Sequence, residues 1–194
     1  MGGKLARVYI SMLGTTDYKE CTYCFDGGFE MPNVRFVQEA TIAHSCKDWV
    51  PQDRILILTT QEATRKNWVD NGHKRNGQTA ETRGLETCIA GLGLKAEVKR
   101  IEIPEGHNET EIWQIFQILY DILLPGDEVV LDVTHAFRSL PMLILVVLNY
   151  AKVLKDVKVK AIYYGAFERL GPPKAVESMA LSERRVPVLD LTAL

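Results

Sequence analysis

The sequence predicts an α/β protein, a Rossmann-like, doubly wound and mainly parallel sheet flanked by helices. Three observations carry that expectation. Short apolar runs rich in β-branched residues alternate with segments of helical period along the whole chain. The strand runs are nearly continuous in apolar residues, the pattern of strands covered on both faces of a parallel sheet. The 194 residues, 46% hydrophobic and 25% charged, suit a single globular domain with a real core.

Arg7–Leu13 (RVYISML) reads as the first buried strand. It runs into Gly14, Thr15, Thr16, Asp17 and Tyr18, where a glycine and two hydroxyls at a strand's carboxyl end make a candidate ligand loop. The Gly-x-Gly-x-x-Gly and Gly-Lys-Ser/Thr signatures are absent, which excludes an ordinary dinucleotide site and a P-loop nucleotidase. The plainer alternative for this loop is a turn that uses the φ > 0 freedom of Gly14. Lys19–Phe25 reads as a short hairpin strand before Asp26-Gly27-Gly28. It contains Cys21-x-x-Cys24. A redox role wants such a pair at a helix start, and a zinc site wants two further ligands at suitable spacing. Cys46 and Cys88 stand apart, so these are read as strand residues and all 4 cysteines as reduced thiols.

Asn33–Cys46 is expected as a helix capped by Asn33, with His44 packed or at the solvent edge of one face. Arg54–Leu58 is the second buried strand, followed by Thr59 and Thr60, and Gln61–Trp68 a short helix. Asp70–Thr82 is polar and without hydrophobic period, a lid or a disordered segment. Gly84–Leu92 reads as a helix and Ala96–Ile103 as the third strand. Asn108 and Glu111 then form a capping box. The helix they start buries Ile112, Ile115, Leu119, Ile122 and Leu123, while Trp113, Phe116 and Tyr120 widen its apolar arc enough to face a partner subunit.

The chain reads as organised around Glu128–Pro141: an apolar strand, Glu128–Asp132, then a polar turn with Thr134, His135, Arg138 and Ser139. Ser139 is the expected N-cap of a helix over Leu140–Leu154, with Pro141 in its first turn. Val159–Tyr164 is a fifth strand ending in Gly165–Glu168, and Val186–Leu191 a last short one. In a parallel sheet all carboxyl ends lie on one edge, where ligands bind and helix N-termini favour anions. Hydroxyls and the forked donors of Arg138 suit phosphodiester oxygens. Tyr18 and Trp68 offer faces for bases. Asp132 is read as structural, orienting Thr134 or His135, and no second carboxylate or metal cluster supports hydrolysis by His135. The residues taken alone give a binding site for a phosphate-containing ligand with bases, needing no cofactor and no metal.

Net charge −2 and pI near 6.1 exclude a surface built for long nucleic acid. The longest apolar run, Leu140–Leu148, falls far short of the about 20 residues of a membrane span, and no leader is visible, so a cytoplasmic protein is expected.

Several blocks in order resemble the CRISPR-associated Rossmann-fold (CARF) domain, of the branch that often carries a HEPN ribonuclease domain downstream. They are Ile10–Thr15, Asn67-Trp68, Trp113–Phe116, Asp132–Met142 and Ile162–Glu168. The resemblance spans residues 5–191 and implies one domain over 1–194, with 186–194 as a terminal strand and linker toward an effector domain in a longer protein. It further implies a homodimer with a shared pocket that binds cyclic oligoadenylate, the messenger of type III CRISPR antiviral defence, with tetra-adenylate favoured. Its ligand motifs fall on Gly14, Thr15 and Thr16, and on Thr134, His135, Arg138 and Ser139; Tyr18, Thr60 and Trp68 complete the candidate site. Some family members cleave the ring without metal, so a ring nuclease using Thr15, Thr16, His135 or Ser139 is the enzymatic alternative to an allosteric sensor. A nucleotide-dependent DNA regulator would need a basic helix–turn–helix appendage, which the sequence lacks.

Overall fold

The Arg7–Leu13 run forms β1, an inner strand of an eight-stranded sheet seen in a computed structural model that describes residues 6–75, 77–135 and 140–193. The other strands of that sheet are β2 (Cys21–Phe25), β3 (Glu30–Val34), β4 (Arg54–Thr59), β7 (Glu97–Glu102), β8 (Glu128–Asp132), β9 (Lys158–Gly165) and β10 (Arg185–Asp190). Their order is β3-β2-β10-β9-β8-β1-β4-β7. The block β9-β8-β1-β4-β7 is parallel throughout. The antiparallel pairs are β9 with β10 and β2 with β3. The mainly parallel, Rossmann-like sheet expected from the continuous apolar runs is therefore present.

Helices cover both faces, which is why β1 is apolar at successive positions. Val8, Ile10 and Met12 face α4 (Glu109–Ile122) and α5 (Leu140–Leu154), in one core with Leu131, Ile115 and Ile144. Tyr9 and Leu13 face the opposite way, packing with Phe36, Ile42, Ile57 and Trp68 beneath α1 (Val37–Ser45) and α3 (Leu85–Ala90). Asn108 caps α4 by accepting from the Glu111 amide at 3.0 Å, as its spacing with Glu111 predicted. Lys155 closes the other end of that helix, donating to the carbonyls of Tyr120 at 2.7 Å and Leu123 at 2.8 Å.

Two expectations need correction. Asn33 does not cap α1; it lies in β3 with φ of 56°, and the helix starts at Val37. The carboxylate of Glu39 does the capping instead, accepting from the amides of Arg35 at 3.2 Å and Phe36 at 3.1 Å. The Asp70–Thr82 stretch is not without secondary structure, since β5 (Lys74–Arg75) and β6 (Gln78–Thr79) pair there as a small hairpin. Alternation too short to show a period hid it. His44 is exposed and stacks on Phe25, ring centres 4.3 Å apart. Cys21 and Cys24 lie on β2, where burial pushes both thiols up, Cys21 to about 12, against thiolate chemistry. Among the described residues no helix is long and apolar enough to cross a membrane.

The amino-terminal edge of the sheet is pinned by Asp53, 2% exposed, which accepts from the Arg7 side chain at 2.7 and 3.1 Å and from the Arg7 and Val50 amides at 2.9 Å. Burial opposes its ionisation, but these donors win and hold its carboxyl below the ordinary range. Its stabilisation is therefore complete above the unfolded value of about 3.9 and lost as pH falls through the lower folded value. Asp53→Asn should lower stability at pH 7 and flatten its acid dependence below about pH 4, measured by urea unfolding across pH. Ile115→Ala, at a site with no exposure, should cost about 2–5 kcal/mol in the same assay.

Candidate functional site

The carboxyl ends of β1, β4, β8 and β9 bring their loops to one edge. Asp132, the last residue of β8 and fully buried, ties β1, β8 and β9 together there. One of its oxygens accepts from the Thr134 amide at 3.0 Å and the Thr134 hydroxyl at 2.6 Å. The other accepts from Ser11 on β1 at 2.8 Å and, at 3.4 Å, from Tyr9. The Thr134 hydroxyl in turn accepts from the Gly165 amide at the end of β9, at 2.8 Å. Burial raises the Asp132 carboxyl above its usual range, with the donors of Thr134, Ser11 and Tyr9 opposing. A carboxylate so enclosed orients the turn, as the sequence reading has it, and has no opening toward a substrate.

The first-strand loop closes against this turn. Gly14 is buried, and a Cβ there would lie 2.3 Å from the Tyr18 hydroxyl and 3.5 Å from the carbonyl oxygen of His135. The glycine is needed for that close approach. The Tyr18 ring stacks on the His135 ring with centres 4.0 Å apart and planes at 29°. Thr15 is half-buried and Thr16 exposed at the rim. Beneath them lies a cavity of about 200 Å³ lined by Thr16, Tyr18, Tyr23, Thr134, His135 and Phe167, among others.

His135 as a whole retains some exposure, but its Nε2 is sealed and has no hydrogen-bond partner. Burial pushes its pKa down to about 3, so the ring is neutral at pH 7. Arg138 and Ser139 lie outside the described residues. The remaining candidates sit deeper. Thr60, 1% exposed, caps the short helix α2 (Gln61–Ala63) by accepting from the Ala63 amide at 3.2 Å. Trp68, 7% exposed, is packed in the core with Leu85 and Ile89, which leaves no open face for a base.

Sequence reasoning missed two residues that shape the site. Asn67, on a π-helical turn over Thr64–Trp68, donates to the carbonyls of Gly14 at 2.8 Å and Thr16 at 2.9 Å. Arg35 donates to the Tyr18 carbonyl and to Asp17, each at 3.2 Å. A charge flanked by Val34, Phe36 and Val37 was the available signal for Arg35; Asn67 stood in the Asn67-Trp68 block of the family resemblance, where no role was assigned to it. The spacing Arg-x6-His of a HEPN nuclease also occurs, at Arg100 and His107. Arg100 is on the edge strand β7, bonded to Glu102 at 3.1 Å and Thr64 at 3.2 Å, and His107 is in the loop before α4. This pair has no helical setting of its own and marks no nuclease centre.

A mainly parallel sheet covered by helices on both faces, with two interlocked, hydroxyl-bearing loops at its carboxyl edge, defines a Rossmann-like α/β domain. The family model described as "CRISPR system endoribonuclease Csx1, CARF domain" matches residues 8–168, and the chain belongs to that CARF family. The chain is also similar to "CRISPR-associated protein MJ1674" of Methanocaldococcus jannaschii, 39% identical over 206 residues, which covers 84% of this chain. The same match covers 32% of that protein, so the chain spans about a third of the length of its curated relative.

Two outcomes test this geometry. Thr134→Val removes the hydroxyl donor to Asp132 and the acceptor of the Gly165 amide but keeps the backbone donor of residue 134, and should cost about 1–3 kcal/mol in thermal unfolding. The His135 ring should remain neutral in the folded chain from pH 7 down to about 4, whereas an exposed histidine titrates near 6.5, as read from its ring carbon and nitrogen shifts. The folded value lies below the unfolded one, so His135 takes stability away as pH falls from about 6.5.

Proposed function

We propose that this chain is the sensor domain of a CRISPR defence protein and binds a cyclic oligoadenylate, tetra-adenylate by preference, across a homodimer. The observation that carries the reading is the fusion of the Gly14–Tyr18 loop with the Thr134–His135 turn at the carboxyl edge of the sheet. Backbone amides, threonine hydroxyls and the neighbouring Arg138 and Ser139 supply what a ring of phosphodiesters requires. Two copies would face one ring, so four or more phosphates meet paired cations although the chain carries a net charge of −2.

The outer faces of α4 and α5 support the homodimer. Trp113 is 62% exposed and Tyr150 55%, and they share an apolar cleft of about 530 Å³ with Phe116, Tyr120, Leu143 and Val146. An exposed apolar patch of this kind marks an association surface. Both helices precede or follow β8, so pairing here sets two ligand turns side by side. The occupied ring then acts on an effector domain, a HEPN ribonuclease or another, carried in cis by a longer protein. The sealed Nε2 of His135 favours binding over cleavage, because a general base must reach the proton it removes.

Calorimetric titration with cyclic tetra-adenylate should give saturable binding at one ring per two chains, with weaker heat from the hexa-adenylate. Arg138→Ala should weaken binding by about 10²-fold, from roughly 1.5–3 kcal/mol for each charged hydrogen-bonding group lost. Val146→Glu should give monomers in sedimentation and lose the ring at the same time. A folded dimer that takes up neither ring would end this reading, and conversion of the ring to linear product would favour the nuclease.

A further inference from the structure

We propose that Asn67 is a positioning residue that joins the ligand loop Gly14–Tyr18 to the β5–β6 hairpin, so that a change at one is felt at the other. The ligand part of this inference rests on the function proposed above; the junction does not. Asn67 has no exposure, and its amide uses all of its bonding capacity. Nδ2 donates to the Gly14 and Thr16 carbonyls at 2.8 and 2.9 Å. Two carbonyls on that side fix which end of the amide carries the nitrogen. The oxygen therefore faces the other way, and it accepts from Arg35 at 3.1 Å and from Nε2 of His73 at 2.9 Å. An amide oxygen cannot donate, which assigns the proton of that last bond to His73.

Arg35 doubles the link. It holds Asp17 and the Tyr18 carbonyl on the loop side, and donates to the Arg83 carbonyl at 3.1 Å on the far side. His73 and Arg83 are the two legs of the hairpin. The legs are closed on each other by Asn71 and Thr82, with bonds of 2.8 and 2.9 Å, and by the Ala80 amide on the His73 carbonyl at 2.8 Å. Both legs also lie directly on the backbone of the π turn. A Cβ at Gly72 would be 2.3 Å from the Lys66 carbonyl oxygen, and one at Gly84 2.2 Å from that of Trp68. Loop, π turn and hairpin thus share buried bonds and backbone contact, with no slack between them.

Hydrogen exchange read by mass spectrometry on the chain tests this. In His73→Ala without ligand, exchange of the Thr15–Tyr18 amides should rise about tenfold, the loss of one buried hydrogen bond, while α4 stays unchanged. His73→Gln, whose amide can still donate to Asn67, should restore most of that protection. Faster exchange in the hairpin with an unchanged loop would overturn the junction, as would equal behaviour of the Ala and Gln variants. If His73→Ala fails to fold, His73→Phe against His73→Gln makes the same comparison. With cyclic tetra-adenylate, exchange in the parent chain should slow at both loop and hairpin, and in His73→Ala at the loop alone. No slowing at the loop in any chain would count against the ligand and leave the ligand-free comparison to decide the junction.

Discussion

A single buried carboxylate, Asp132, fixes the geometry on which the site depends. It receives donors from β1 through Ser11 and Tyr9, and from its own turn through Thr134. Ser11 also accepts from Gln38 at 3.1 Å, and Tyr9 shares a 2.7 Å bond with Thr41, which brings α1 into the same network. Thr134 passes it on to β9. β1, α1, β9 and the turn after β8 are therefore joined through one buried carboxyl group and its donors. Burial raises its carboxyl, so its ionisation at neutral pH works against the fold. Such a group is explained by the geometry it imposes, and here that geometry is the joining of β1, β9 and the turn after β8.

The loops themselves show a division of labour. The parts that touch the interior, Gly14, Tyr18 and the ring of His135, are packed against one another. At the rim, Thr15 is half-buried and Thr16 exposed. Rigid support below and polar groups above is the arrangement by which a preorganised site avoids ordering costs on binding. Burial of His135 keeps its ring uncharged at neutral pH.

Ligand edge and apolar helical face belong to one structural unit. β8 lies between α4 and α5, its carboxyl end makes the ligand turn, and α5 leaves that turn with its outer side studded with Met142, Val146, Tyr150 and Val153. In a CARF family member this places an exposed apolar helical face next in the chain to the strand whose carboxyl end carries Asp132 and Thr134.

The sequence by itself determined the fold class, the positions of the buried parallel strands along the chain and the capping of α4. Each of these follows from local periodicity or from residue types adjacent in the chain, so tertiary context had little to override. It also carried the family resemblance, whose blocks include residues of β1, the π turn, α4, β8 and β9. Only the tertiary structure decided what needs neighbours distant in sequence. Asn33 looked like a cap until Glu39 took that role, and Trp68 and Thr60 looked like site residues until packing drew them inward. Asn67 lies 53 residues from the Gly14 carbonyl it holds, and its orientation depends on a π turn with no sequence signature. Hydrogen bonds across such separations are satisfied by folding as a whole, and no local pattern records them.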